Sequence, residues 1–541
     1  MRRPALALVV ALLAIGGLAL LPSHAGAHAE RATFFVDASQ GKRPVHRTGG
    51  PSRVVCKKDS KQRLKRSWRG KAKNVVRRRN YLLRVLKRCK YRHIQSAVNA
   101  AKSGERILIM PGVYLEEPSR KIPVAEEKCQ GEGYWESSGD NHQEDGRVPT
   151  YKHQVDCPNS RNLIAVIGDS LEDEDNACDQ KCNLQMQGLG RRSRDVLIVG
   201  DRLKQDIIRA DRADGFALEN VTVEQGGYNN VDVVETNGFL LRRVVARWAK
   251  NYGILTFTSD HGLYDRIEAY GNGDSGVYPG SGPEGHCKRF GVEVRYVNAH
   301  HNTLGSSGTA GNGTWYHHNK LHHNNAGVAL DSFAPGHPGM PQDCSKWTDN
   351  EVYSNNLNFF DAETDKYCQE VPFEKRDKEK VCPQFVSVVG TGFMWYGAND
   401  NLMENNRIYD NWRSGVRLFW VPAALRGEND PAKQSDTSNG NRIVGNTFGV
   451  APDGSAMPNG EDVLWDKQGM GNCWENNATA PGRSLTSDPI ILPTCASGGS
   501  ASPVSDPSKT AAEAPCVTWD PKTNPDPPGC SWFTTPSPPS Q

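Results

Sequence analysis

Asp214-Gly215-Phe216-Ala217-Leu218-Glu219-Asn220-Val221 is followed by Asn237-Gly238-Phe239-Leu240-Leu241-Arg242-Arg243-Val244. Then come His261-Gly262-Leu263-Tyr264-Asp265-Arg266-Ile267, Phe290-Gly291-Val292-Glu293-Val294-Arg295-Tyr296-Val297 and Asn312-Gly313-Thr314-Trp315-Tyr316. The shared glycines lie 23, 24, 29 and 22 residues apart. A second series runs half a unit later: Tyr252-Gly253-Ile254, Ser275-Gly276-Val277, Leu304-Gly305-Ser306 and Ala326-Gly327-Val328. Two glycine series in step mark a stacked repeat. The units are short runs of Val, Ile, Leu and aromatics bounded by Gly, Asn and Asp, with no room for a helix. They predict strand-turn-strand coils stacked at ordinary strand spacing, about 4.8 Å. Asparagine tolerates the left-handed backbone of such turns. Asn298, Asn302, Asn319, Asn324, Asn325, Asn355, Asn356, Asn405 and Asn406 are therefore expected to stack as turn ladders.

This pattern resembles the right-handed parallel β-helix of the pectin-lyase-like superfamily, over roughly residues 90 to 480. The run from Tyr91 to Tyr114 resembles that superfamily's entry helix and first coil. Ile94, Ala97, Val98 and Ala101 fall at helical spacing, Ser103-Gly104 ends the helix, and Ile107 to Met110 reads as a buried strand. Such a helix caps the open end of a solenoid. The expected fold class is all-β, a right-handed parallel β-helix (solenoid) with an N-terminal capping helix and a disordered C-terminal tail.

The 541-residue chain divides into four expected parts. Residues 1–29 read as a secretory signal: Arg2 and Arg3, an apolar run from Pro4 to Leu21, and Ala27-His28-Ala29 as the cleavage site. An uncleaved anchor is the alternative. Residues 30–92 hold a first strand, Thr33 to Asp37, and a strongly basic insertion. Residues 93–495 form the β-helix, and 496–541 a Pro/Ser/Thr-rich flexible tail. No other run approaches transmembrane length. The mature chain is expected to be secreted, without a membrane span, and a monomer.

The 14 cysteines agree with an oxidising compartment. The natural pairs by neighbourhood are Cys56 with Cys89, Cys129 with Cys157, Cys368 with Cys382 and Cys516 with Cys530. Cys178 and Cys182 read as a disulfide rather than half of a zinc site.

From Lys42 to Arg92 there are 21 Lys and Arg against one acid, Asp59, in a chain of net charge +3. Within it, Lys71 to Cys89 suits a basic helix. The segment reads either as a contact for a polyanion, such as acidic polysaccharide, or as a solvated insertion offsetting an acidic body. A secreted protein without a reading motif is not expected to recognise nucleic acid specifically. The acidic run Glu172-Asp173-Glu174-Asp175 lacks alternating ligand spacing and a fixed glycine and reads as a solvated loop; calcium, the one candidate cofactor, is the alternative.

Alternation along the strands sends Ile254, Val277, Val328 and Val416 inward. Leu255, Tyr278, Ser307, Ala329 and Arg417 then form an outward column, with Phe257, Gly280, Thr309, Asp331 and Phe419 two residues on. Tyr278, Asp331 and Arg417 are the first candidate catalytic residues: a stacking or proton-donating phenol, a base and a uronate-neutralising guanidinium. Asp274 and His286 are further catalytic candidates. Asp260, His261 and Lys288 are candidate substrate-binding residues. The histidine pairs His300-His301, His317-His318 and His322-His323 read as turn-ladder residues, with a metal site as the alternative. The resemblance supplies no catalytic set. Where the epimerase branch has Tyr-Gly-Phe-Asp-Pro-His, this chain has Tyr252-Gly253-Ile254-Leu255-Thr256-Phe257. The polygalacturonase and pectate-lyase signatures are also missing. The expected function is binding, with cleavage or modification by a lyase or hydrolase as its extension, of an acidic glycan. A non-catalytic surface, structural or adhesion protein is the alternative.

Overall fold

The glycine-spaced units close into coils in the computed structural model. It describes residues 51–137, 147–172, 177–283, 287–334, 337–501, 504–519 and 531–540. The signal segment, the strand Thr33–Asp37, and Asp173, Glu174 and Asp175 of the acidic run lie outside them.

Two long parallel sheets run the length of the solenoid, one of 21 strands and one of 11. Each middle coil gives one strand to the smaller sheet and two to the larger. Ile254–Phe257, Gly262–Asp265 and Glu268–Tyr270 make one such coil, pairing in register with Ser275–Gly280, Val292–Arg295 and Asn298–His300 of the next. The chain is a parallel β-helix, with the right-handed crossover that connects parallel strands generally. Ile254, Val277, Val328 and Val416 point into the core, as expected, among stacked aliphatics and the paired rings of Tyr316 and Trp347.

Asparagine ladders hold the corners. Asn272, Asn302, Asn324, Asn355, Asn411 and Asn459 each donate from Nδ2 to the Oδ1 of the next, at 2.8–3.1 Å. Asn319, Asn350, Asn406, Asn446 and Asn477 repeat this at another corner. These amides pair buried backbone groups where the strand ladder breaks. Of the other expected ladder residues, Asn405 sits at a left-handed turn, while Asn298 lies in a strand and accepts a hydrogen bond from His322.

The capping helix is Ile94–Ala100. Its first two N–H groups donate to the buried carboxylate of Glu116, which satisfies donors that a helix start leaves open. The described part of the basic insertion, from Pro51, is folded. A strand Ser52–Val55 pairs with Arg106–Ile109. It leads into two helices, Ser60–Ser67 and Lys73–Leu86, closed by the Cys56–Cys89 disulfide. Leu64, Leu82 and Val85 bury the hairpin against Val54, Leu108 and Leu189.

Cys129–Cys157, Cys178–Cys182 and Cys368–Cys382 pair as expected. Cys287–Cys344 and Cys473–Cys495 join residues that repeat spacing does not single out. Cys516 is disulfide-bonded, and Cys530 lies outside the described residues.

The tail departs from the expectation of disorder. Helix Pro507–Val517 and the turn Ser531–Phe533 lie on the outside of the smaller sheet. There Trp519, Trp532 and Phe533 pack with Met394, Tyr396 and Phe419. A few large apolar side chains in a Pro- and Ser-rich segment suffice, because each ring buries a large area.

Candidate functional site

The outward column on the smaller sheet has the predicted register: Leu255 beside Tyr278, Ser307 beside Ala329. Met394 stands between Ala329 and Arg417. The expected open face is nevertheless closed. Tyr278, Asp331 and Arg417 are 6%, 6% and 4% exposed. Thr309 links the first two: its N–H donates to Tyr278 Oη at 3.2 Å and its Oγ1 to the Asp331 carboxylate at 3.0 Å. Burial lifts the Asp331 carboxyl to about 6, against hydrogen bonds from the Phe333 N–H and Thr309, and raises the Tyr278 phenol. Arg417 is turned away from this pair. It donates to Tyr396 Oη at 3.1 Å and to Glu513 of the tail helix.

The other predicted residues do not join them. Asp274 is buried and accepts from Ser275 Oγ at 2.8 Å. Asp260 sits at a corner, gripped by both Nη atoms of Arg289 at 2.8 and 2.7 Å and by the His261 N–H. Burial opposes its ionisation, but His261 and Arg289 outweigh that and hold the carboxyl low. Lys288 is exposed nearby, and His286 lies outside the described residues. Asp260 and His261 are thus tied with Arg289 into a corner clamp.

The histidine pairs follow the ladder reading in one member each: His301, His318 and His323 have φ of 57°, 57° and 52°. Two of their neighbours, His300 and His322, enter a column in which Tyr270, His300, His322, Tyr353 and Tyr409 stack face to face at 4.8–5.4 Å, while His317 stacks on Trp315.

The open recess lies elsewhere, between the basic hairpin and the outer face of the larger sheet. Of three adjoining hollows, about 470, 330 and 410 Å3, all are lined by Arg191, the second and third also by Arg192, and the first and third by Arg243 and Arg266. Together eleven arginines and no lysine line them, against Asp195, Glu219, Asp265 and Glu268. The hairpin docks through Ser67, whose Oγ accepts from the Arg191 N–H and donates to Asp195, and through Trp68 Nε1 to the Leu189 carbonyl. The floor is a charge ladder in register: Glu219, Arg242, Asp265, Arg295. Asp265 alone pairs with Arg242, Arg266 and Arg295. Among the described residues the guanidinium groups of Arg191, Arg192, Arg194 and Arg243 have no carboxylate partner, although the Arg192 backbone N–H donates to Asp195.

Arg243 and Arg266 also occupy a costly backbone position. Their φ values are 53° and 58°. The same left-handed turn holds Asn220, Asn405, Gly445 and Asn476 on other coils, residue types that adopt it readily. Tyr296, His318 and Asp349 take the same position on further coils, so the coil imposes the left-handed turn on whichever residue stands there. The sequence carried the signal: counting four or five residues on from each glycine of the first series gives Asn220, Arg243, Arg266, Tyr296 and His318.

No family model and no curated protein matches this chain. Among solved structures it is similar to the A-module of mannuronan C-5 epimerase AlgE4 of Azotobacter vinelandii, at 13% identity and TM-score 0.40. That match covers 73% of this chain and 92% of the other. It is also similar to PfbA, a surface adhesin of Streptococcus pneumoniae, at 8% identity and TM-score 0.35, covering 73% and 88%. A third, pectate lyase Pel9A, gives 13% identity and TM-score 0.30, covering 74% of each chain. At such scores the assignment rests on the chain's own strand pairing: this protein is a parallel β-helix.

Proposed function

We propose that this protein is an extracellular acidic-polysaccharide-binding β-helix, and that the arginine groove is its binding surface. The observation that carries this reading is the set of arginines without carboxylate partners around one open recess. Guanidinium groups match carboxylate and sulfate in a two-pronged geometry that lysine cannot copy. An unpaired cluster raises the local concentration of anions and is sensitive to salt. The disulfides support an oxidising location, and no helix of the described residues is long and apolar enough to cross a membrane.

The test is a titration of the protein with polygalacturonate, dextran sulfate and neutral dextran at rising salt. Binding of the two polyanions that weakens with salt, with none to neutral dextran, is expected. Equal binding of neutral dextran overturns the proposal.

The enzymatic reading rests on Asp331, lifted to about 6 beside Tyr278 and Thr309. New ultraviolet absorbance from polyuronate marks a lyase, and reducing ends without it mark a hydrolase. No signal in either channel from polyuronates and neutral glycans, with and without calcium, removes both readings.

A further inference from the structure

We infer that the anion track continues beyond the arginine groove, across the strand Leu240–Arg247, to a second cationic cluster at the next corner, and that the ligand is therefore a long linear acidic glycan lying across the coils. This rests on the acidic-polysaccharide reading above. The second cluster forms where the disulfide-tied insertion carrying Cys368–Cys382 folds back on the coils. Its cleft is shallow, with a volume of about 10 Å3, so a ligand would lie over it rather than in it; it is lined by Arg202, Lys250, Arg376, Lys378 and Lys380 with Trp248 and Phe373, and by no carboxylate. Glu374, Asp377 and Glu379 of the same insertion are exposed and are not part of the lining.

Two arginines of this cluster are held by backbone carbonyls. Arg202 donates from Nη1 to the carbonyls of Phe373 and Arg376, and its Nε is buried without a hydrogen-bond partner. Arg376 donates to the carbonyls of Val371 and Cys368. Both guanidinium groups lie over the Phe373 ring, at 4.7 and 5.9 Å. Carbonyl oxygens orient these cations; burial pushes both guanidinium groups below their usual range, against the pull of Glu374 on both and of Asp377 on Arg202. Lys378 Nζ stands 4.7 Å over the Trp248 ring.

One strand joins the two clusters. Arg242 and Arg243 open on the groove, Val244 and Val245 line its edge, and Arg247 stacks at 4.0 Å on Trp248 in the second cleft. Arg243 and Trp248 are five residues apart, roughly 16 Å along an extended chain. A small anion would fill one cluster. A linear glycan would place anionic groups on both and its sugar faces against Val245 and Trp248. Binding the second cluster is then intramolecular, so affinity rises steeply with chain length.

The experiment compares a short oligogalacturonate with long polygalacturonate on the wild-type chain and on Lys378→Ala/Lys380→Ala. Both lysines are exposed, which keeps folding intact. The wild type is expected to bind the long chain at least about tenfold tighter per chain, beyond the statistical gain from extra sites. The variant is expected to lose that advantage. A variant that keeps the full advantage overturns the inference while leaving the groove reading standing. A wild type that binds neither ligand overturns both.

Discussion

Ser193 Oγ donates a 2.5 Å hydrogen bond to the carbonyl oxygen of Arg243. That bond ties the loop bearing Arg191, Arg192 and Arg194 to the left-handed turn bearing Arg243. It joins two segments fifty residues apart in sequence into one wall. Preformed walls reduce the ordering cost of binding, so the groove should behave as a ready-made anion site.

Arg243 separates stability from function. Asparagine suits φ = 53° better than arginine does, so Arg243→Asn should stabilise the fold by up to roughly 1 kcal/mol. The same change removes an unpaired guanidinium and should weaken polyanion binding by about tenfold. Thermal melts and titration of one variant check both. A variant that binds as tightly as wild type removes Arg243 from the site.

The Arg417–Glu513 pair makes the opposite prediction. Arg417 is buried beneath the tail helix. Arg417→Ala leaves Glu513 with no cation in contact and should cost about 3 kcal/mol or more. Arg417→Ala with Glu513→Ala together should cost less than Arg417→Ala alone. Polyanion affinity should not change in either. Denaturant melts and titrations on the three chains test this, and a loss of binding would return the site to the smaller sheet.

The hairpin depends on its disulfide. Cys56 and Cys89 close a loop with a sequence separation of 33. Replacing both by serine should destabilise that region by about 2–4 kcal/mol and lower polyanion affinity, since Arg63, Arg66, Arg69 and Arg78 line the groove from it. Hydrogen exchange should quicken in residues 57–88 first. Unchanged exchange there contradicts the account.

Asn350 tests the ladders. Its Nδ2 serves Asn406 and the Tyr316 carbonyl, while its Oδ1 accepts from the N–H and the Nδ2 of Asn319. Asn350→Ala leaves buried groups unpaired on both neighbouring coils and should cost about 2–4 kcal/mol in a chemical melt. A cost under about 0.5 kcal/mol would show that the ladder is not a source of stability.

Acid should loosen the aromatic column. Burial, with His323, His300, His301 and Lys320 nearby, pushes His322 down to about 3. The unfolded chain protonates it near 6.5, so the folded form binds fewer protons between those values. The stability this group gives is full above about pH 6.5 and is lost as pH falls toward 3. Wild type should therefore lose more melting temperature between about pH 7 and about pH 5 than His322→Phe. Equal losses would contradict the shift.

Periodicity is why so much of the fold was legible. A strand's side chains alternate strictly, so the glycine series was enough to place Ile254, Val277, Val328 and Val416 inside and Tyr278, Ala329 and Arg417 outside. It missed the strand Thr391–Tyr396, because the insertion after Asp331 breaks the count. Periodicity also says nothing of what covers an outward face. Trp519, Trp532 and Phe533 belong to no repeat, so a face read as open is closed. The groove was half visible. The basic run from Lys42 to Arg92 stood out by composition, whereas Arg191-Arg192, Arg242-Arg243 and Arg295 lie far apart in the chain and meet only when the coils stack.

The most direct measurement is the salt dependence of polygalacturonate affinity for three chains: wild type, Arg191→Ala/Arg243→Ala and Arg417→Ala/Glu513→Ala. The account predicts that affinity falls with salt in wild type. It predicts a shallower fall and weaker binding in the groove variant, and wild-type behaviour in the third chain. Wild-type binding by the groove variant, or loss of binding in the Arg417→Ala/Glu513→Ala chain, would contradict it.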